Sequence, residues 1–269
     1  MHYRLLMFLL MPLALLWMLV RSRREPAWRR GWEQRFGYLP VRQDRPLWIH
    51  AASVGEVNSA ASLVRQLAGT GLPLQLSAFT PTGVQRWREL LPGTPVALLP
   101  LDLAGATRRA LRRLGPRGLL LLEAELWPQL LLSCRQAEVP VGWLSARISE
   151  RSSRRMAGLL GRRLLRRSLS AVTALGAQST ADAERFGSLG VSASGLDITG
   201  SLKADLNLPP GLIEDAGLER QGWARAVVWL AASTHEGEEA AAIGETPYRY
   251  DGDGDDGEEE SSDFLWGSP

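Results

Sequence analysis

The chain has 269 residues, of which 45% are hydrophobic and 22% charged. These are ordinary proportions for a globular protein and exclude wholesale disorder. Its single cysteine, Cys134, excludes an internal disulfide framework and a cysteine-based zinc site. The net charge of +2 conceals a division, because residues 236–269 hold 12 of the 29 acidic residues and one of the 31 basic ones.

Residues 1–235 are therefore strongly basic, and every basic residue except Lys203 is arginine. Arginine matches phosphate and carboxylate in bidentate geometry. A basic body implies an anionic partner: nucleic acid, a membrane surface or a phosphorylated substrate. A codon bias toward arginine gives the same count without any partner.

Leu5 to Val20 is an apolar run of 16 residues broken only by Pro12. A full membrane span needs about 20 residues, so the run reads as a short anchor, an interfacial helix or a signal peptide, with a buried core helix as the alternative. Arg21, Arg23, Arg24, Arg29 and Arg30 follow at once, where a secretory signal would have small residues. The positive-inside rule then leaves the body in the cytoplasm. Trp17, Trp28 and Trp32 suit the headgroup level, with the arginines on anionic lipid. Residues 1–24 are thus expected to anchor the chain, and 25–46 to form a basic connecting segment.

From residue 47 short apolar runs alternate with helical patterns. Strands are expected at 47–52, 74–79, 96–99, 118–122, 141–144, 171–175 and 197–199. Helices are expected at 57–67, 82–91, 104–114, 128–137, 150–169 and 179–189. This alternation predicts an α/β fold with a Rossmann-like parallel sheet covered on both faces, spanning 47–200. Ala226 to Ala231 reads as a strand opening a second α/β unit, and 201–243 as a linker into it. From 244 the composition turns to Asp, Glu, Gly and Ser, which predicts a disordered acidic tail. Its Asp-Gly pattern does not fit the spacing of a calcium loop.

Ligands of such sheets sit outside the carboxyl ends of the strands. Three segments are expected there. In His50-Ala51-Ala52-Ser53-Val54-Gly55-Glu56, Gly55 permits a tight turn or close backbone approach. Glu56 stands at the start of a helix, either as a general base toward a hydroxyl or as a plain N-terminal acid favoured by the dipole. In Glu123-Ala124-Glu125-Leu126-Trp127-Pro128 two carboxylates at a strand end either divide roles or mark an acidic cap. In Ser233-Thr234-His235-Glu236 the hydroxyls at a helix start form a phosphate seat, with His235 as an anion partner or acid, or they are an ordinary cap. No dinucleotide fingerprint, Walker motif, Gly-x-Ser-x-Gly elbow or His-Glu-x-x-His occurs. The three histidines are too scattered for an obvious metal cage.

Together with Thr80-Pro81-Thr82-Gly83, Leu99-Pro100-Leu101-Asp102, Ala146-Arg147-Ile148-Ser149, Ala177-Gln178-Ser179 and Thr199-Gly200-Ser201-Leu202-Lys203, these segments resemble the bacterial 3-deoxy-D-manno-octulosonic acid (Kdo) transferases, in the family's order, over roughly residues 1–243. The resemblance implies a two-domain glycosyltransferase of the GT-B type with facing Rossmann-like halves. It implies transfer of Kdo from CMP-Kdo to a lipid A precursor (lipid IVA) in lipopolysaccharide synthesis, at the cytoplasmic side of the bacterial inner membrane and in contact with its lipids. No metal, no cofactor beyond the CMP-Kdo donor substrate and no nucleic acid are implied. Glu56 resembles the family's catalytic base. Ser53, Gly55, Glu125, Arg147, Lys203, Ser233, Thr234 and His235 are the implied substrate-binding positions. The likeness stops near Ile243, where the family continues into most of its donor site, so the second domain is expected to be largely missing. The alternative is a non-catalytic membrane- and lipid A-binding fragment without the sugar-nucleotide site.

Overall fold

The computed structural model describes residues 2–159 and 162–205. It opens with helix α1 (His2–Arg24), a 3₁₀ turn at Pro26–Arg29 and the short α2 (Trp32–Arg35). Strands and helices then alternate: β1 (Leu47–His50), α3 (Val54–Gly69), β2 (Leu74–Ala78), α4 (Pro81–Leu90), β3 (Val96–Leu98), α5 (Ala104–Leu114) and β4 (Gly118–Leu122). They continue with α6 (Pro128–Gln136), β5 (Val141–Ala146), α7 (Glu150–Leu159), α8 (Arg162–Leu169), β6 (Val172–Ala177), α9 (Thr180–Leu189) and β7 (Leu196–Ile198). The strands form one parallel sheet in the order β3-β2-β1-β4-β5-β6-β7. This is the Rossmann-like arrangement that the alternation predicts, and its strand order reverses between β1 and β4.

Burial explains why the strands read as continuous apolar runs. Successive residues of β1 enter opposite cores: Trp48 packs with Leu114, Leu130 and Leu119, and Ile49 with Val57, Val64 and Trp87. Period-two alternation thus feeds two apolar layers, one on each face. In α3 the buried Val57, Ala60, Ala61 and Val64 follow helical spacing. In α5 the buried Ala106, Ala110, Leu111 and Leu114 share one face, leaving Arg108 and Arg112 outside, and Gly115 closes the helix with φ 51°.

Several boundaries differ from expectation by one to three residues. β1 ends at His50, and α3 starts at Val54 because Ser53 and Glu56 form a capping box. Of the helix expected over 150–169, the parts on either side of residues 160 and 161 are helical, as α7 and α8, and those two residues lie outside the described ones. Segment 25–46 carries its own elements and buries Trp28, Arg35 and Leu39. Arg35 lies over Phe79 (4.6 Å) and Trp28 (5.6 Å) and donates to the carbonyls of Leu99 and Phe79. It thereby ties this segment to the carboxyl end of the sheet. Burial pushes its guanidinium down to about 10, still charged at neutral pH.

The 16-residue apolar run lies within α1. Among the described residues no helix is long and apolar enough to cross a membrane. The expected strand at 226–231, the rest of the linker from 206 and the acidic tail lie outside the described residues.

Candidate active site

The turn after β1 is built by backbone capping. Ser53 is extended (φ −123°), and its Oγ accepts from the Glu56 amide at 3.5 Å. The Glu56 carboxylate reaches back to accept from the amides of Ala52 and, at 3.3 Å, Ser53. Gly83 lets α4 press against this turn: a Cβ there would lie 2.9 Å from Ala78 Cβ and 3.4 Å from the Ala52 carbonyl oxygen. Gly55 stands in the first turn of α3 and not in a tight turn. A Cβ on it would find only Ser53 Oγ, at 3.9 Å, so the space beside the helix start is open to close approach.

Glu56 is partly buried, and its carboxyl is held above its ordinary value. Burial is the largest cause and the charge of Glu125 the next; the Ala52 amide opposes both, and Glu123 adds a smaller push upward. Three carboxylates from the ends of β1 and β4 therefore feel one another where the strand order reverses. An acid of raised proton affinity beside a second carboxylate is a usual acid–base arrangement.

Glu125 is buried and bridges that reversal. Its Oε2 lies 3.1 Å from His50 Nε2 and accepts from the Trp127 indole N–H. His50 Nδ1 lies 3.0 Å from Ser77 Oγ, which accepts from Trp48 Nε1 at 2.8 Å. The parallel register places His50 beside Ser77. The ring of Trp127 stacks on Phe79, 5.4 Å between centroids.

Glu123 is buried, and Oε2 faces Lys203 Nζ at 3.5 Å and Arg147 Nε at 3.8 Å, while Oε1 has no hydrogen-bond partner. Both cations stay about half exposed. Glu123 (φ 56°) and Ser145 (φ 54°) adopt left-handed backbone at the ends of neighbouring strands. Such backbone costs on the order of 1 kcal/mol per residue and clusters at functional sites; Arg45 and Glu138 share it away from this edge. Ser145 Oγ accepts from the Leu202 amide at 3.2 Å, which brings Lys203 to the sheet. Beside Arg147 opens a cavity of 530 Å³ with Trp143, Met156 and Phe186 on its apolar wall and Arg185, Ser149 and Gln178 on its polar one. That volume suits a small ligand.

Of the positions singled out in the sequence, Ser53, Gly55, Glu56, Glu125, Arg147 and Lys203 gather along this carboxyl edge. Ser233, Thr234 and His235 lie outside the described residues. Sequence reasoning did not single out Ser77, gave His50 no role within its segment, and left open how Glu123 and Glu125 divide theirs. The available signal was polarity inside buried strands: His, Ser and Trp at positions that otherwise hold aliphatic residues. Asp102, by contrast, sits in a motif that resembles a site but caps α6. Among the described residues no group of three or more His, Cys, Asp or Glu side chains is placed to hold a metal ion.

Comparison with known proteins identifies the family to which the described sheet belongs. Residues 30–206 match the family described as 3-deoxy-D-manno-octulosonic-acid transferase (kdotransferase). A 3-deoxy-D-manno-octulosonic acid transferase of Bordetella pertussis is 40% identical over 87% of this chain and 56% of its own length. One of Haemophilus influenzae is 33% identical over 88% of this chain and 57% of its own. The UDP-GlcNAc 2-epimerase structure from Neisseria meningitidis has a TM-score of 0.46 at 11% identity, over 67% of this chain and 51% of that one. The chain spans about half the length of the curated relatives it matches. With the family match covering the whole described sheet, the chain belongs to the 3-deoxy-D-manno-octulosonic-acid transferase family.

Proposed function

We propose that this chain is the acceptor-side half of a glycosyltransferase that moves Kdo from CMP-Kdo onto a sugar hydroxyl of a lipid A precursor such as lipid IVA. Glu56 takes the hydroxyl proton as the oxygen bonds to the anomeric carbon of Kdo and CMP departs with the bonding electrons. The single observation that carries this reading is the placement of Glu56, at the start of α3, with Glu123 and Glu125 at the reversal of strand order, where burial and the neighbouring carboxylates raise its proton affinity. A hydroxyl is a poor nucleophile at neutral pH, and an ionised carboxylate of raised proton affinity is a stronger base than an ordinary one. Ser53 and Gly55 leave the approach to Glu56 open, and Arg147 and Lys203 offer half-exposed cations to anionic groups of the substrates. The adjoining cavity, lined by Arg147 and by Arg185 paired with Asp182, suits one phosphorylated sugar unit of the acceptor, with the acyl chains left outside it. Ser233, Thr234 and His235 belong, on this reading, to the donor side.

We place the work of this half at the cytoplasmic side of the bacterial inner membrane. Leu9, Leu13, Leu16, Trp17 and Val20 of α1 are each at least half exposed, and Arg21, Arg23 and Arg24 follow them. An apolar run too short to span, with arginines directly after it, suits shallow anchoring at an anionic membrane surface. Deleting residues 2–20 should release the chain from anionic vesicles at high salt; unchanged sedimentation would refute the anchor.

The test of the acceptor role is equilibrium binding of the chain to lipid IVA in detergent micelles, with CMP-Kdo as the comparison ligand. Saturable binding of lipid IVA, weakened about tenfold by Arg147→Ala, is expected. Binding of CMP-Kdo alone, or no effect of Arg147→Ala, would overturn it.

A further inference from the structure

The buried side chains behind Glu125 fix one another's proton positions. An indole N–H only donates, so Ser77 Oγ must accept from Trp48 Nε1 at 2.8 Å. The Ser77 hydroxyl hydrogen is then free to donate. Two acceptors are in reach: His50 Nδ1 at 3.0 Å and the Ile49 carbonyl oxygen at 3.4 Å. The shorter contact is the one to His50. A hydrogen bond donated to Nδ1 requires a lone pair there, so the ring keeps its proton on Nε2. That nitrogen lies 3.1 Å from Glu125 Oε2 and donates to it.

The surroundings leave little room for another arrangement. His50 is fully buried. The groups that face it are Ser77 from β2, Glu125 and the edge of the Trp127 ring (6.3 Å) from the segment after β4, and the more distant charge of Glu56 from α3. In the opposite tautomer a lone pair would point at the Glu125 carboxylate and repel it. A doubly protonated ring would force the Ser77 hydroxyl to turn to the longer contact at Ile49.

We propose that Ser77, oriented by Trp48, is a positioning residue of this site: it fixes His50 as the Nε2–H tautomer, which holds the Glu125 carboxylate in register beside Glu56. His50 itself then exchanges no proton with substrate. It works as an orienting donor, the way a histidine's far nitrogen is commonly set by the bond its near nitrogen makes. The use of Glu125 beside a base rests on the reading of Glu56 given above; the tautomer does not.

The experiment is long-range ¹H–¹⁵N correlation NMR of the ¹⁵N-histidine-labelled full chain at pH 8. His2→Gln and His235→Gln identify the His50 signals. The expected spectrum has Nδ1 in the unprotonated range and Nε2 in the protonated range. Ser77→Ala should shift both nitrogens toward averaged values, the mark of mixed tautomers, and Ser77→Thr, which keeps the hydroxyl, should restore the single tautomer. Trp48→Phe should loosen the preference in the same direction. A wild-type spectrum with Nδ1 protonated, alone or with Nε2, overturns the proposal even if a variant fails to fold. An unchanged tautomer in Ser77→Ala also overturns it. Because the readout is a nitrogen resonance of this chain, a failure of Glu56 as base in a transferase assay would leave the result standing and be recognised separately.

Discussion

Asp102 accepts the amide hydrogen of Leu130 at 2.7 Å through Oδ1, and through Oδ2 that of Gln129 at 2.9 Å. A residue from the loop after β3 thus caps α6, whose own N-cap residue, Trp127, makes no side-chain cap. Pro128 at the first helical position has no amide hydrogen to satisfy, so the carboxylate serves the next two. This bond also fixes the end of the segment that carries Glu123 and Glu125.

Asp102→Ala should therefore destabilise the chain by about 2 kcal/mol, since two buried amides lose their acceptor. Urea unfolding measures it. Hydrogen exchange should speed up first at Gln129 and Leu130. A loss below about 0.5 kcal/mol with unchanged exchange would show that the cap is redundant.

Cys134 is fully buried, and burial pushes its thiol up to about 12. A thiol needs its thiolate to react. The chain holds no other cysteine, so a disulfide reagent at pH 8 reads this position alone. Native protein should leave the reagent untouched until denaturant is added. Complete reaction within seconds under native conditions would mean that the packing around α6 opens readily.

Glu56 offers a test of whether its carboxylate is only a helix cap. Its folded-state value is raised above the ordinary 4.5, so the folded chain binds that proton more tightly than the unfolded chain. The resulting stability is complete below the unfolded value and is lost as pH rises through the folded one. Ionised Glu56 therefore costs stability at neutral pH. Glu56→Gln keeps an oxygen for the Ala52 amide and should raise Tm by about 2 °C at pH 7.5 and by less at pH 4. A lower Tm at both values would mean that the cap charge outweighs the burial.

How much of this was legible in the sequence differs by kind of feature. The strands showed themselves because central parallel strands bury both faces, as in Gly118-Leu119-Leu120-Leu121-Leu122. The start of α3 was misjudged by three residues, since Ser53 and Glu56 form a reciprocal cap and the apolar period begins only at Val57. Glu56 and Glu125 were legible as carboxylates near strand ends. The bond between His50 and Glu125 was not, because it joins residues 75 apart and depends on which strands become neighbours. Ser77 gave even less signal: one serine in a strand looks like an accident until the register puts it beside His50. Gly55 left two readings open for a local reason, as a glycine after Ser-Val suits a tight turn as well as the first turn of a helix, where it stands.

The central claim is that Glu56, and not Glu125, accepts the proton of the acceptor hydroxyl. The measurement is turnover of CMP-Kdo with lipid IVA by a transferase that carries these residues together with a donor half, comparing Glu56→Gln and Glu125→Gln. Glu56→Gln should lower kcat by about a hundredfold or more while acceptor affinity stays unchanged. Near-normal turnover in Glu56→Gln, with the loss confined to Glu125→Gln, would contradict the account and give the base role to Glu125.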